Sequence, residues 1–149
     1  MNQIRTDISN IPPELQRANQ WLAYDQDKKP ISAKIGKRKD WQNNLTDFET
    51  AKRYAEQHGF GIGFAFNGQT EFFGVDLDGC RDPITGTIEV WALAIVYLLA
   101  SYCEISPSDT GLKIICRGNV PDNLKTIDFG DVKHGKHRQQ AEFLSLIHI

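Results

Sequence analysis

The stretch EFFGVDLDGC, residues 71–80, constrains this chain more than any other. An apolar run ends in two aspartates separated by one leucine, and glycine follows at once. Successive strand residues point to opposite faces, so Phe73, Val75 and Leu77 share one face and Gly74, Asp76 and Asp78 the other. Both carboxylates then project together, roughly 6–7 Å apart along the strand. Two like charges at that range in a partly buried place repel, and one takes up a proton. A divalent cation resolves the conflict, because Mg2+ and Mn2+ prefer carboxylate oxygens. A core strand has no need of two carboxylates; a metal site does.

The rest of the chain reads as an α+β pattern, a small mixed or antiparallel sheet with flanking helices. IPPELQRANQWLAY opens with a turn at Pro12-Pro13, then a short helix, then a strand near Trp21 to Tyr24. Residues 25–45 are polar and basic with Pro30 and Gly36, and read as a long loop. Thr46 to Gln57 reads as a helix, with Thr46 as N-cap, Glu49 completing a capping box and Gly59 closing it. GIGFAF (61–66), NGQT (67–70) and EFFGVDLD (71–78) read as a hairpin. That hairpin would lay Gly61 beside Asp76 and Gly63 beside Gly74, leaving a bare floor for a ligand. Packing of a helix against the small residues explains the glycines alone equally well, but their place on the same face as the two aspartates favours the ligand floor. Ile88 to Ser101 reads as a mostly buried helix. YCEI, SPSDTG and LKIICRG read as strand, turn and strand, and residues 118–140 as loop-rich. The pattern holds no internal repeat and reads as one domain.

In the second hairpin Lys113 and Arg117 share a face. The turn before it holds Ser106, Ser108 and Gly111, and its N–H groups are of the kind that cradle a phosphate. Taken alone, the hexapeptide reads first as an ordinary hairpin turn.

The net charge of −2 and a pI of about 6.1 do not announce a polyanion binder, but the charge is unevenly spread. Between Lys28 and Lys39 lie Lys28, Lys29, Lys34, Lys37, Arg38 and Lys39 and no acid. A second basic run is Lys133, His134, Lys136, His137 and Arg138. Either run is also what a solvated loop looks like. Cys80, Cys103 and Cys116 lack CxxC spacing and make a poor zinc set, and their odd count without a signal peptide points to reduced thiols in a cytoplasm. The N-terminus lacks an apolar segment of signal-peptide type. The longest apolar stretch, Ile88 to Ala100, contains Glu89 and is too short to span a bilayer. The final LSLIHI, residues 144–149, can be encoded by a transposon-end adapter used in making sequencing libraries. The natural chain is therefore expected to continue differently after Phe143, and His148 is given no role.

GVDLDGC followed by YCEISPSDTGLKIICRG resembles the archaeo-eukaryotic primase superfamily. The nearest likeness is to the primase–polymerase domains at the N-terminus of phage and plasmid replication proteins. It covers most of residues 12–143, including PPEL, WLAY, KKP, the Asp40-Trp41 pair and GFGIGFAF. The resemblance implies a truncated primase–polymerase domain over residues 1–143, with an RRM-like core. It implies Mg2+ or Mn2+ bound by Asp76 and Asp78, with Glu142 of AEF as the third ligand on a strand left mostly missing by the tail. Where the family has Ser-x-His, this chain has Lys113, which can hold a triphosphate as a point charge but is a poor near-neutral acid or base. The implied activity is two-metal nucleotidyl transfer by a DNA primase or polymerase on a single-stranded DNA template, using nucleoside triphosphates, in phage, plasmid or mobile-element replication. Ser106, Ser108, Lys113 and Arg117 would bind the nucleotide. Lys29, Lys34, Lys37, Arg38 and Lys39 would track the template, with Trp41 stacking on a base or serving as a core aromatic. A helicase domain is the common companion, and the setting is a bacterial host cytoplasm, away from membranes.

Two other readings compete. Apolar strand followed by Asp-x-Asp-Gly also opens the haloacid-dehalogenase-like phosphatases, with Asp76 as nucleophile, Asp78 as acid/base, and Ser106, Lys113 and Asp131 in later motifs. That motif belongs on the first strand of a parallel sheet, whereas here more than 70 residues precede it. The other is a catalytically degenerate module that binds single-stranded DNA.

Overall fold

In the computed structural model the described residues are 7–66, 71–120, 125–144 and 146–148. The local signals at the start of the chain act as expected. Pro13–Gln16 is a short helix (α1) with proline in its first turn, and Trp21–Tyr24 is a strand (β1) buried along its whole length. A two-residue strand, Pro30–Ile31 (β2), and a 3-10 turn at Trp41–Asn43 interrupt the long polar segment. Phe48–His58 (α2) begins one residue later than the capping-box reading. Asp47, not Thr46, is its N-cap, and Asp47 Oδ1 accepts the Thr50 N–H at 2.9 Å. Thr46 is instead tied to Trp21 by two backbone hydrogen bonds. Gly59 closes the helix in the left-handed region at φ 67°, where glycine carries no Cβ penalty.

Gly61–Ala65 (β3) pairs antiparallel with β1 and with Leu146–His148 (β9), giving the order β2-β1-β3-β9. The helix α2 turns Phe48, Ala51 and Ala55 inward. Trp21 meets Phe48 and Phe64 edge-on, with ring centroids 4.9 and 5.0 Å apart. These residues and β1, β2, β3 and β9 belong to the first of two compact units.

The second unit is a five-stranded antiparallel sheet. Its strands are Phe72–Asp78 (β4), Tyr102–Ile105 (β5), Leu112–Arg117 (β6), Thr126–Gly130 (β7) and Gln139–Leu144 (β8), in the order β5-β6-β4-β8-β7. The helix Val90–Leu99 (α3) covers one face. Val75, Leu77, Leu112, Ile114, Cys116 and Ala141 are buried there with Ala92 of α3, and Trp91, Ile95, Val96 and Leu99 pack against them. By alternation, Asp76, Lys113 and Glu142 stand on the opposite face.

The α+β class holds, with antiparallel sheets. Three local expectations besides the Thr46 cap do not. The predicted hairpin of residues 61–66 with 71–78 is absent: β3 pairs with β1 and β9, while β4 pairs with β6 and β8. Its turn, residues 67–70, lies outside the described residues. Gly61 therefore faces Tyr24, not Asp76, and a Cβ on Gly61 would overlap the Tyr24 ring. Close packing, not a ligand floor, explains that glycine. Next, α3 is not mostly buried: only Ala92 is fully buried, and Val90, Tyr97 and Leu98 are exposed. Last, the segment 118–140 read as loop contains β7 and the start of β8; Ile127 and Phe129 do alternate with Thr126 and Asp128, but over only five residues among polar ones.

Candidate active site

Strand register assembles the site. Asp76 lies opposite Lys113 on one side and Glu142 on the other, and Lys113 lies opposite Glu104. A transverse row thus crosses four strands: Glu104, Lys113, Asp76, Glu142. Two residues along, on the same face, Asp78 lies opposite Gln140. The sheet brings together three carboxylates that are 64 and 66 residues apart in pairs, Asp78 with Glu142 and Asp76 with Glu142. Glu142 sits on a paired six-residue strand, so the strand expected to be mostly missing is present.

Charge on this face is partly neutralised from within. Lys113 Nζ donates to Asp76 Oδ2 at 2.8 Å. Gln140 Nε2 donates to Asp78 Oδ2 at 3.2 Å and to Glu142 Oε1 at 2.6 Å. Asp76 Oδ1 is buried with no hydrogen-bond partner. Burial raises the Asp76 carboxyl above its ordinary range despite the charge and hydrogen bond of Lys113, and the Asp78 charge pushes the same way. Glu142 is also raised, first by burial and then by the charges of Asp78 and Asp76.

Among the described residues no three His, Cys, Asp or Glu side chains form a ready metal-binding cluster. Lys113 and Gln140 engage oxygens that a cation would need. The donor set still fits a hard divalent ion: it is all carboxylate oxygen, and Asp76 Oδ1 has lost water without gaining a partner.

The remaining expected nucleotide ligands divide. Ser106 and Ser108 occupy the turn between β5 and β6, but their hydroxyls serve that turn. Ser106 Oγ accepts the Gly111 N–H at 3.1 Å and lies 2.8 Å from Ser108 Oγ. Gly111 is required there, because a Cβ would stand 2.5 Å from the Leu77 carbonyl oxygen. Arg117 is not brought to the carboxylates. It lies opposite Phe72, about 13 Å along β6 from Lys113, with its guanidinium over the Phe72 ring and 3.5 Å from Glu71 Oε1.

Lys29, Lys34, Lys37, Arg38, Lys39 and Trp41 belong to the first unit. The basic side chains are exposed and Trp41 is half-buried. Arg38 is not simply solvated, since it pairs with the buried Asp25. Burial alone would raise the Asp25 carboxyl, but the Lys29 N–H, the Arg38 charge and the Asp27 N–H together hold it below the usual range.

Three residues of the site had no assigned role in the sequence reading. Gln140 and Glu104 are polar residues whose importance lies in register alone. His137, in the second basic run, is close enough for its charge to favour ionisation of both Asp76 and Glu142, and its carbonyl oxygen packs on Gly79 just after Asp78. Glu104 offered the one usable signal, a carboxylate within the short strand YCEI that precedes the turn.

Fold and site together define an antiparallel α+β protein with a carboxylate cluster beside a buried lysine on the sheet face opposite α3. A parallel Rossmann-like sheet is absent from the described residues, so the phosphatase reading fails: β4 has antiparallel neighbours on both sides. No protein-family model matches the chain. The chain is similar to a DNA primase-polymerase of Nitratiruptor phage NrS-1, at 30% identity over 126 residues, covering 79% of this chain. It spans 18% of that relative's length. The likeness relates the chain to a phage primase-polymerase. Among the described residues no helix is long and apolar enough to cross a membrane.

Proposed function

We propose that the second unit carries the metal-dependent nucleotidyl-transfer site of a primase–polymerase, acting on a single-stranded DNA template with nucleoside triphosphates. The observation that carries this reading is Asp76 at the centre of the transverse row, flanked by Lys113 and Glu142, with one oxygen buried and unpartnered. The relationship to the phage primase-polymerase supports it. A helicase domain elsewhere in the full protein and a setting in bacterial mobile-element replication belong to the same proposal.

Asp76, Asp78 and Glu142 would hold Mg2+ or Mn2+, which would supply activation of the attacking 3′-hydroxyl and neutralisation of the triphosphate. Lys113, as a fixed positive charge beside Asp76, would bind a phosphate oxygen. Gln140 orients Asp78 and Glu142 through its amide. The exposed lysines of residues 28–39 would contact template phosphates without reading sequence.

The test is calorimetric titration of the whole chain with Mn2+ and a deoxynucleoside triphosphate, beside Asp76→Asn. Metal-dependent triphosphate binding that the variant loses is the expected result. A folded chain that binds neither would overturn the site. A second reading, a degenerate single-stranded-DNA module, is favoured by one observation: Lys113 and Gln140 already satisfy carboxylate oxygens without a cation. DNA affinity that is salt-dependent but unchanged by Asp76→Asn, with no triphosphate binding, would select it.

A further inference from the structure

Lys113 has an acidic cross-strand neighbour on each side, Asp76 on β4 and Glu104 on β5. Directly opposed residues of an antiparallel ladder have Cβ atoms about 4.5–5.5 Å apart. An ammonium on a flexible four-carbon stem can therefore serve either carboxylate. It is engaged by Asp76 Oδ2 at 2.8 Å. On the other side Glu104 Oε2 accepts the Tyr102 hydroxyl at 2.7 Å, while Glu104 Oε1 is buried with no partner. A buried carboxylate oxygen left unpaired carries its desolvation cost with no compensating bond. It needs a donor, and Lys113 is the cation next to it in the register.

We propose that Glu104 is a second seat for Lys113: the ammonium rests on Asp76 while that carboxylate is otherwise unliganded, and moves to Glu104 Oε1 when Asp76 Oδ2 is taken up by a divalent cation. The movement removes a positive charge from the path of an incoming cation and gives Glu104 the donor it lacks. Glu104 is thus a positioning residue, acting through Lys113. The link to cation binding rests on the nucleotidyl-transfer reading, whereas the shift of the ammonium does not.

The metal-free test is proton–nitrogen NMR of lysine ammonium groups in the whole chain labelled with 15N-lysine, with the Lys113 signal identified by its loss in Lys113→Arg. Neutralising Asp76 should send the ammonium to Glu104. The signal is expected to persist, shifted, in Asp76→Asn and to vanish in Asp76→Asn/Glu104→Gln. Loss in Asp76→Asn alone, or persistence in the double variant, overturns the proposal. Should Asp76→Asn not fold, Asp76→Ser tests the same transfer. The second measurement is Mn2+ affinity by calorimetry. Glu104→Gln is expected to weaken it about tenfold with Lys113 present and not at all in a Lys113→Gln background. An equal loss in both backgrounds means that Glu104 acts directly on the ion and overturns the seat. Ammonium transfer with no Mn2+ binding by the unaltered chain keeps the seat and overturns the nucleotidyl-transfer reading instead.

Discussion

Lys113 Nζ stands 2.8 Å from Asp76 Oδ2 across two adjacent antiparallel strands, with side chains only 10% and 13% exposed. Taking two charges out of water is expensive, and their attraction offsets this only when geometry and further hydrogen bonds are good. Asp76 Oδ1 lacks such a bond. The pair is therefore better suited to a site that exchanges partners than to a structural staple.

Removing one partner should cost more than removing both. Lys113→Met leaves a buried carboxylate unpaired and is expected to destabilise the second unit by about 3 kcal/mol. Asp76→Asn/Lys113→Met removes the charge from both and should recover most of that loss. Urea unfolding of the four chains checks the cycle, and additive losses would refute a coupled pair.

Stability should fall with rising pH on this face. Burial pushes Glu104 up from its ordinary 4.5 to about 7, against the Tyr102 hydrogen bond and the Lys113 charge. The folded chain then holds a proton that the unfolded chain has lost, so the penalty is absent below pH 4.5 and grows until pH passes 7. Glu104 should cost on the order of 3 kcal/mol above pH 7. Thermal unfolding of Glu104→Gln should reduce this slope, to which the raised Asp76 and Glu142 carboxyls also contribute, and give a higher Tm than the unaltered chain at pH 8. An unchanged slope would remove Glu104 as its source.

Asp47→Ala should cost about 1 kcal/mol through loss of the N-cap of α2. Glu49→Ala should cost far less, since the cap is Asp47 with Thr50 rather than Thr46 with Glu49. Chemical denaturation of the two variants separates the capping schemes.

Charge removal in the basic loop should weaken DNA binding without changing sequence preference. Lys37→Ala and Lys39→Ala should each reduce the slope of log affinity against log salt by about 0.7 on single-stranded DNA. Arg38→Ala should in addition lower stability, because it strips the buried Asp25 of its ion partner. Fluorescence anisotropy over a salt series, with a melt of each variant, distinguishes the two effects.

Much of this site was legible because it depends on local periodicity. Alternation alone puts Asp76 and Asp78 on one face and Val75 and Leu77 on the other, and α3 does cover the apolar one. The same alternation put Lys113 on a single face of its strand, and the turn residues 106–111 marked the β5–β6 hairpin. Register between distant strands was not legible. A four-residue connection made β3 with β4 the simplest local pairing, yet β4 pairs with β6 and β8. Hairpin signals report only the closure of a short loop. They carry no information on whether a distant strand offers a better partner, here one that sets Lys113 opposite Asp76 while Gly61 admits the Tyr24 ring. The sequence by itself determined which residues share a face. Only the tertiary structure decided which faces meet, because the charge pairs and side-chain packing that settle it join residues tens of positions apart.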